Sequence, residues 1–431
     1  MSAGTSPAGS TPNQPSPAPM GRPAETSQTA SYLMATYPLP QVTFVRGEGS
    51  YLWDESGKRY LDFLSGLGVT SLGHAHPVVA TAICEAARTL LHTSNLYGTR
   101  PAAEVAQILD RLIAGPGPGL GGKIFFANSG AEANECAIKL ARKWAGHGRY
   151  VVLSAYGSFH GRTLATLHAT GQPAKHEAFQ PLPEGFRHVA WRDAGALEKA
   201  ITPEVAAIML EPVQGEGGVW PAGAEYFQAV RELCDQRGLL LIVDEIQAGL
   251  GRTGKWFGFQ HYGVRPDIVT MAKALGNGVP IGACWARAAV ADAFVPGDHG
   301  STFGGQPLAA SAARATLSVM ESEDTPARAE ATGNYLRKRL GELDGIVECR
   351  GLGLMLAVEL AEAPAREVAD RCLAGGLIVN AVTPTALRLE PSLLLTEDEV
   401  DQGIDILSSI LGRAPLVPRA GPHRHKDPEE R

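Results

Sequence analysis

Two strand-like apolar runs, each leading into a charged side chain, most constrain what this chain can fold into. Residues 239–243 are Leu-Leu-Leu-Ile-Val and precede Asp244, and residues 268–272 are Ile-Val-Thr-Met-Ala and precede Lys273. In an open parallel sheet, ligands bind outside the carboxyl ends of the strands. We therefore expect a carboxylate and an amine to meet in one crevice. The simpler alternative is a solvated lysine at a strand end and an aspartate that caps a helix.

This pair of side chains suits one cofactor in particular. Pyridoxal phosphate takes a lysine for its Schiff base and an acidic side chain against its pyridine nitrogen. The surrounding pattern agrees with a binding site at a sheet edge. Short apolar strands alternate with helices, which indicates a parallel sheet covered on both faces, and we predict these strands at 123–127, 151–155, 205–210, 239–243, 268–272 and 281–286.

The flanking segments predict further elements. Residues 44–63 are expected to form two short strands around Asp-Glu-Ser-Gly at 54–57. The predicted helices are 78–91, 102–113, 131–144, 226–237, 308–321, 365–374 and 397–411. Further strands are expected within 347–360 and at 377–382 and 386–390. The segment after Pro307 therefore predicts an α+β unit at the end of the chain.

Composition excludes several classes of protein. The chain has 431 residues and a net charge of −7, so no basic surface indicates nucleic-acid binding. No uninterrupted apolar run of about 18 residues predicts a membrane span. The six cysteines form no CxxC pair, so we expect free thiols of a cytoplasmic protein rather than a disulfide framework or a metal site. Residues 1–31 have almost no large apolar side chain, and they and residues 413–431 are expected to be disordered tails. The first segment also has no signal-peptide core.

Four further stretches carry candidate chemistry. Asn128-Ser-Gly-Ala-Glu-Ala-Asn134 lies between a strand and a helix, so the amides of Gly130 and Ala131 form either a phosphate cradle or an ordinary helix start. In the second, Phe159 and Arg162 offer an aromatic ring and a carboxylate-binding fork, or else a core ring and a solvated cation. The other two place Glu216 in a Gly-rich turn, and Ser301 and Thr302 in a hydroxyl-rich turn.

Taken together, these stretches and their order resemble the class III, fold-type I pyridoxal-phosphate aminotransferases. The resemblance runs from Tyr37 to about Leu411. It rests on Arg46-Gly-Glu-Gly49, Leu72-Gly-His-Ala-His-Pro77, His92-Thr-Ser-Asn-Leu96, 128–134, Phe159-His-Gly-Arg162, Glu211-Pro-Val-Gln-Gly-Glu216, 244–254, Lys273 and Gly300-Ser-Thr-Phe-Gly-Gly305. One departure is Gln306, where the family commonly has Asn.

The resemblance implies a fold and a domain division. The fold class would be α/β, a mostly parallel central sheet flanked by helices, with a smaller α+β domain made from the N- and C-terminal segments. Residues 32–95 and 307–412 would form the small domain and residues 96–306 the large cofactor-binding domain. It also implies a homodimer with shared active sites.

The resemblance assigns roles to the candidate cofactor residues. Lys273 would bind pyridoxal 5'-phosphate covalently and then transfer the proton, and Asp244 would pair with the ring nitrogen. Gln247 would bind the ring hydroxyl, and Phe159 would stack on the ring. The other expected cofactor contacts are Gly130, Ala131, Glu245, Ile246 and, from the neighbouring subunit, Thr302.

The resemblance also assigns the substrate residues and the reaction. Arg162 and Arg388 would bind carboxylates, Ser301 would contact the amino acid, and Glu216 would neutralise Arg388 when the donor has only one carboxylate. The implied reaction is ping-pong transfer of an amino group from N2-acetylornithine to 2-oxoglutarate. Alternative donors are ornithine, succinylornithine, succinyldiaminopimelate and 4-aminobutyrate. A dinucleotide-dependent oxidoreductase is a second alternative, although Gly130 lacks the G-x-G-x-x-G spacing. A non-catalytic relative is a third.

Overall fold

Seventeen strands run through the residues that the computed structural model describes, which are 32–115, 117 and 119–412. The tails expected to be disordered, 1–31 and 413–431, lie outside these described residues. The strands are β1 Phe44–Glu48, β2 Tyr51–Asp54, β3 Arg59–Asp62, β4 Lys123–Ala127, β5 Val151–Ala155, β6 Phe186–Val189, β7 Val205–Leu210, β8 Val213–Gln214, β9 Trp220–Pro221, β10 Leu240–Asp244, β11 Ile268–Met271, β12 Gly282–Ala286, β13 Ile346–Leu352, β14 Met355–Leu360, β15 Leu377–Ile378, β16 Asn380–Ala381 and β17 Ala386–Leu389.

The seven helices that the sequence pattern predicts are all present. The longer helices are α1 Pro77–Thr89, α2 Arg100–Ala114, α3 Gly130–Ala145, α4 Leu164–Ala169, α5 Ala194–Ala200, α6 Ala224–Arg237, α7 Pro307–Ser322, α8 Thr325–Gly341, α9 Ala365–Gly375 and α10 Glu397–Leu411, of which α4, α5 and α8 are additional to the predicted set. Single helical turns occur at Ser65–Gly68, Pro173–Lys175, Glu177–Phe179, Gly258–His261, Lys273–Gly276 and Ala288–Ala291. Within the described residues, no helix has both the length and the apolar character needed to cross a membrane.

A seven-stranded sheet in the order β4-β12-β11-β10-β7-β5-β6 forms the centre of the large domain. Neighbours are parallel from β11 through to β6, and only β12 runs antiparallel, against both β11 and β4. This confirms the predicted fold class, a mostly parallel sheet flanked by helices. The parallel register places Asp244 opposite Thr270, three residues before Lys273.

Helices cover both faces of this sheet, as the continuous apolar strands predict. In β10, Leu241 and Val243 pack into one core, and Leu240 and Ile242 pack into the other core together with residues of α3 such as Ile138. These four strand residues are fully buried, and each stabilises the fold by about 1.5–3 kcal/mol relative to an exposed position. The charged ends of the strands therefore lie on a rigid support.

Two four-stranded sheets are formed by the end segments of the chain, and the first of them joins both ends. The first has the order β1-β2-β3-β15, in which β15 from the C-terminal part lies parallel to β3. The second has the order β13-β14-β17-β16 and carries Arg388 on β17. This agrees with the predicted α+β unit from both termini. The exact domain limits stay a prediction.

The structure corrects three local expectations. Residues 44–63 form three strands rather than two, because the chain turns at Gly49 as well as at 54–57, where Asp54 Oδ1 accepts from two backbone amides. The predicted strand 377–382 is divided into β15 and β16, which join different sheets. Helix α8, which follows α7 after a left-handed residue at Asp324, was not predicted.

Candidate active site

A cavity of about 440 Å³ lies at the carboxyl ends of the central strands. It brings together most of the candidate residues from separate parts of the sequence. Those that line it are Gly130, Ala131, Phe159, Arg162, Glu216, Asp244, Ile246, Gln247 and Lys273. The amine and the carboxylate expected from the strand ends therefore face one space.

Lys273 follows β11 and begins a single helical turn in an unusual backbone conformation. Its φ is +41°, a left-handed value that costs energy for a residue with a Cβ and that is concentrated at functional sites. Its side chain faces the cavity. Burial lowers the pKa of Lys273, and the negative charge of Glu390 only partly opposes this effect. The amine is therefore available in its neutral, nucleophilic form at a lower pH than an exposed lysine.

Asp244 ends β10 and is held by two side chains that the sequence analysis did not select. Asn134 Nδ2 and His160 Nδ1 both lie 2.8 Å from Asp244 Oδ2. Asn134 is oriented in turn by Thr270, whose hydroxyl donates to Asn134 Oδ1 at 2.7 Å. His160 lies in the Phe159-His-Gly-Arg162 motif, but nothing in the sequence shows that it reaches Asp244. Both partners fix the direction of the buried carboxylate.

The start of α3 forms the expected cradle for an anion. Ser129 is its N-cap, and the Ser129 hydroxyl accepts from Glu132 N at 3.2 Å. The preceding amides, those of Gly130 and Ala131, belong to the first turn and have no acceptor inside the helix. A Cβ at Gly130 would lie 2.7 Å from Ile246 Cδ1, so glycine is required for this close approach. A helix N-terminus of this kind favours phosphate.

Phe159 presents its ring to the cavity and is anchored through its backbone. Its amide donates to Glu211 Oε2 at 3.2 Å. Burial, and after it the charge of Asp244, raises the pKa of Glu211 well above its usual value, so the neutral form of this carboxyl is favoured. Arg162 lies at the mouth of the cavity, with Cζ 5.5 Å from the Phe159 ring centroid. Glu211 is a lining residue that the sequence analysis did not select.

Arg388, on β17, lies behind the cavity and contacts two residues that line it, Glu216 and Gln247. It is 1% exposed, and its Nη1 donates to Glu216 Oε1 at 2.8 Å while its Nη2 donates to Asn380 Oδ1 at 3.0 Å. Gln247 Oε1 lies 3.5 Å from Nη1. Burial opposes ionisation of Glu216, but the charge and hydrogen bond of Arg388, together with the charges of Lys273 and Lys175, outweigh it, so the pKa of Glu216 is lowered. The structure thus contains the Glu216–Arg388 pair expected from the resemblance.

Besides Arg388, three candidate residues do not line the cavity. The carboxylate of Glu245 turns into the protein and accepts from Gly258 N and Phe259 N at 2.9 and 2.8 Å. Ser301 accepts from Gly304 N at 2.9 Å, and Thr302 is exposed on the same loop. In the single chain, therefore, these side chains stabilise loops or face outward.

With this geometry established, comparison with known proteins identifies the family. A family model described as aminotransferase class-III matches residues 33–411. The chain belongs to the class-III aminotransferases. This confirms the family expected from the motifs, and it shows that the molecule is an enzyme.

Known aminotransferases resemble this one over most of their length. The acetylornithine aminotransferase of Caldanaerobacter subterraneus is 47% identical over 388 residues, which are 88% of this chain and 97% of that protein. The one from Nitrosomonas europaea is 46% identical, with 88% and 98% covered. Among solved structures, N-acetylornithine aminotransferase from Stenotrophomonas maltophilia has a TM-score of 0.76, 37% identity, and coverage of 89% and 98%.

The ornithine aminotransferase of Toxoplasma gondii is also similar, with a TM-score of 0.83, 34% identity, and coverage of 89% and 93%. Its structure contains pyridoxal phosphate at the active site. Pyridoxal 5'-phosphate is the cofactor of the class-III aminotransferases, which confirms the expected cofactor. The residues of this chain fit it through the chemistry of their donors, because free helix amides, an amine and a fixed carboxylate surround one cavity.

Proposed function

We propose that this aminotransferase transfers the distal amino group of N2-acetylornithine to 2-oxoglutarate, giving N-acetylglutamate 5-semialdehyde and glutamate. The observation that carries the proposal is the contrast between two arginines at the cavity. Arg162 is exposed at its mouth, whereas Arg388 is buried and already paired with Glu216. One cation is therefore open to a carboxylate at once, and the other only after Glu216 moves.

The two proposed substrates match these two states of the site. N2-acetylornithine has one carboxylate, far from the amine that reacts, and this carboxylate would pair with Arg162 while Glu216 keeps Arg388 neutralised. Glutamate has a second carboxylate beside its amine, and this one would replace Glu216 on Arg388. The exchange avoids leaving a buried guanidinium unpaired, which is costly. The curated relatives named acetylornithine aminotransferase support the same choice.

The side chains around the cavity have defined tasks in this proposal. When bound, pyridoxal phosphate supplies an electron sink that withdraws charge from the substrate carbon. Lys273 would hold the cofactor and, as a general base, would take the proton from the substrate carbon that bears the amine. Asp244, fixed by Asn134 and His160, would pair with the cofactor ring nitrogen. The amides of Gly130 and Ala131 would hold the phosphate, Gln247 would bind the ring hydroxyl, and Phe159 and Ile246 would contact the ring.

The proposed enzyme is a homodimer, because an apolar surface lies beside the loop that carries Ser301 and Thr302. Leu96, Tyr97 and Phe303 are 86%, 72% and 65% exposed, which is unusual for neighbouring large apolar residues. This loop is tied to the distant segment that carries Leu96 and Tyr97, since Asn95 Nδ2 donates to Ser301 O at 2.7 Å. We propose that Thr302 binds the cofactor phosphate of the partner subunit and that Ser301 contacts the substrate there.

Subunit complementation tests this arrangement. We expect Lys273→Ala and Thr302→Ala each to be impaired as homodimers. Dissociating, mixing and reassociating the two variants should restore activity, because one site of the hybrid then contains neither substitution. If mixing restores nothing although hybrid dimers form, Thr302 does not act across the interface.

We also place the enzyme in the cytoplasm, as its free cysteines suit a reducing compartment.

Single-turnover kinetics tests the substrate. Holoenzyme in its aldehyde form is mixed with N2-acetylornithine, ornithine, N2-succinylornithine or 4-aminobutyrate, and the absorbance change of the cofactor is followed. We expect N2-acetylornithine to have the highest kcat/KM. A higher value for another donor would reassign the substrate while leaving the family unchanged.

A further inference from the structure

Lys175 is a half-buried cation beside Phe159 and Arg162, two residues that line the cavity, and it lies outside the motifs of the sequence analysis. It ends the single helical turn Pro173–Lys175, and its Nζ lies 5.2 Å from the centroid of the Phe159 ring. Arg162 Cζ lies 5.5 Å from the same centroid. One ring at the edge of the cavity thus contacts two cations, which it stabilises through its negative face.

These cations have no carboxylate of their own within the part of the chain that the structure describes. Burial and the like charge of Arg162 lower the pKa of Lys175, and Glu216 only partly opposes them. Glu216 itself is paired with Arg388 at 2.8 Å. Two neighbouring cations that repel each other create a local positive potential, and an anion relieves this repulsion.

The backbone that carries Lys175 is held beside Phe159 by hydrogen bonds. Its amide donates to Gln172 O at 2.9 Å. The side chain of Gln172 donates to Ser158 O at 2.9 Å, and the amide of Gly171 donates to the Ser158 hydroxyl at 2.9 Å. Ser158 directly precedes Phe159, so the same hydrogen bonds fix the aromatic ring and the loop that carries the lysine.

We propose that Lys175 and Arg162 together form a two-cation receptor for the substrate carboxylate that lies remote from the reacting amine. Lys175 is then a specificity-determining residue. The inference rests on the proposed function for the identity of the donors. The α-carboxylate of N2-acetylornithine and the side-chain carboxylate of glutamate both occupy that end of the substrate.

A matched pair of donors tests the proposal. N-acetyl-1,4-diaminobutane is N2-acetylornithine without its carboxylate. In Lys175→Gln holoenzyme we expect kcat/KM for N2-acetylornithine to fall about tenfold, equivalent to ~1.4 kcal/mol, with kcat unchanged. The value for N-acetyl-1,4-diaminobutane should stay the same, and Lys175→Arg should retain the wild-type preference. N2-acetylnorvaline has the carboxylate but no reacting amine. Its inhibition constant should rise in Lys175→Gln, as the KM for N2-acetylornithine does.

Lys58→Gln is the matched control, because Lys58 Nζ also lies over an aromatic ring, 4.7 Å from the Tyr60 centroid, but away from the cavity. It should change none of these constants. An equal loss for both donors in Lys175→Gln, or no loss for either, overturns the proposal. If wild-type enzyme does not use N2-acetylornithine, the proposed function fails. Glutamate then decides the role of Lys175, because its KM should still rise in Lys175→Gln.

Discussion

Arg388 and Glu216 form a 2.8 Å ion pair in which one member is fixed and the other is accessible. Arg388 is almost fully buried and is held by Asn380 as well, whereas the Glu216 side chain is 31% exposed and lies in a Gly-rich turn. A carboxylate that enters the cavity can therefore displace Glu216 but not Arg388. In the proposed function, this asymmetry would allow one cavity to accept donors with one or with two carboxylates.

We expect Glu216→Ala to change the preference between donors. Without Glu216, Arg388 is unpaired until glutamate supplies a carboxylate. The kcat/KM for glutamate should therefore rise, and that for N2-acetylornithine should fall. The ratio of kcat/KM for N2-acetylornithine to that for glutamate should fall about 100-fold, or ~2.7 kcal/mol, less than the full cost of an unpaired buried charge. Single-turnover measurements of the two half-reactions give the ratio.

Glu348→Ala is the control for that substitution. Glu348 pairs at 3.1 Å with Arg350, another buried arginine of the same small-domain sheet. It should leave the donor ratio unchanged. An equal loss of both half-reactions in Glu216→Ala would show that Glu216 supports the site without exchanging partners.

His160→Phe should weaken cofactor binding. Asp244 would keep Asn134 but lose the 2.8 Å contact to His160 Nδ1, and the buried carboxylate would be less well oriented. We expect the Kd for pyridoxal phosphate, measured by titrating apoenzyme, to rise about tenfold. His261→Phe, at a histidine that contacts Thr253 O outside the cavity, should leave the Kd unchanged. An unaltered Kd in His160→Phe would limit this histidine to packing.

Lys273→Ala should bind pyridoxal phosphate but lose turnover by roughly a thousandfold, because the general base is removed. In wild-type enzyme, borohydride should fix the cofactor to the protein, and peptide mapping should locate it on Lys273. The control, Lys255→Ala, changes an exposed lysine and should react as wild type does. Normal turnover in Lys273→Ala would place the base elsewhere.

Glu245 should make stability depend on pH. Burial raises its pKa to about 8, well above the ~4.3 of an unfolded chain. Because the folded state holds this proton more tightly, its contribution to stability is full below about pH 4 and is lost as the pH rises towards 8. Glu245→Gln removes the titration, so the Tm of the variant relative to wild type should increase between about pH 5 and pH 9. A difference in Tm that stays constant across this range would contradict the raised pKa.

Residues at the ends of apolar strands could be predicted because their positions follow from local sequence. Lys273 and Asp244 are of this kind, and the start of α3 with Gly130 follows from the strand-to-helix change. Glu211 directly follows the apolar strand β7 and so had the same local signal, although the sequence analysis did not select it. His160 and Asn134 could not be selected in this way. Their roles depend on contacts between segments far apart in the chain, and a histidine or asparagine next to a motif has no periodic signal. The division of 377–382 between two sheets likewise depends on partners that the local pattern does not specify.

The parallel pairing of β15 with β3 also has a consequence for biosynthesis. Leu61 and Asp62 leave the ribosome early, but their partners Leu377 and Ile378 are translated near the end of the chain. At about 5–20 residues per second, the edge of β3 stays open for tens of seconds. During that time the nascent polypeptide presents an unpaired strand edge, which a chaperone or the already folded central sheet would have to shield from aggregation.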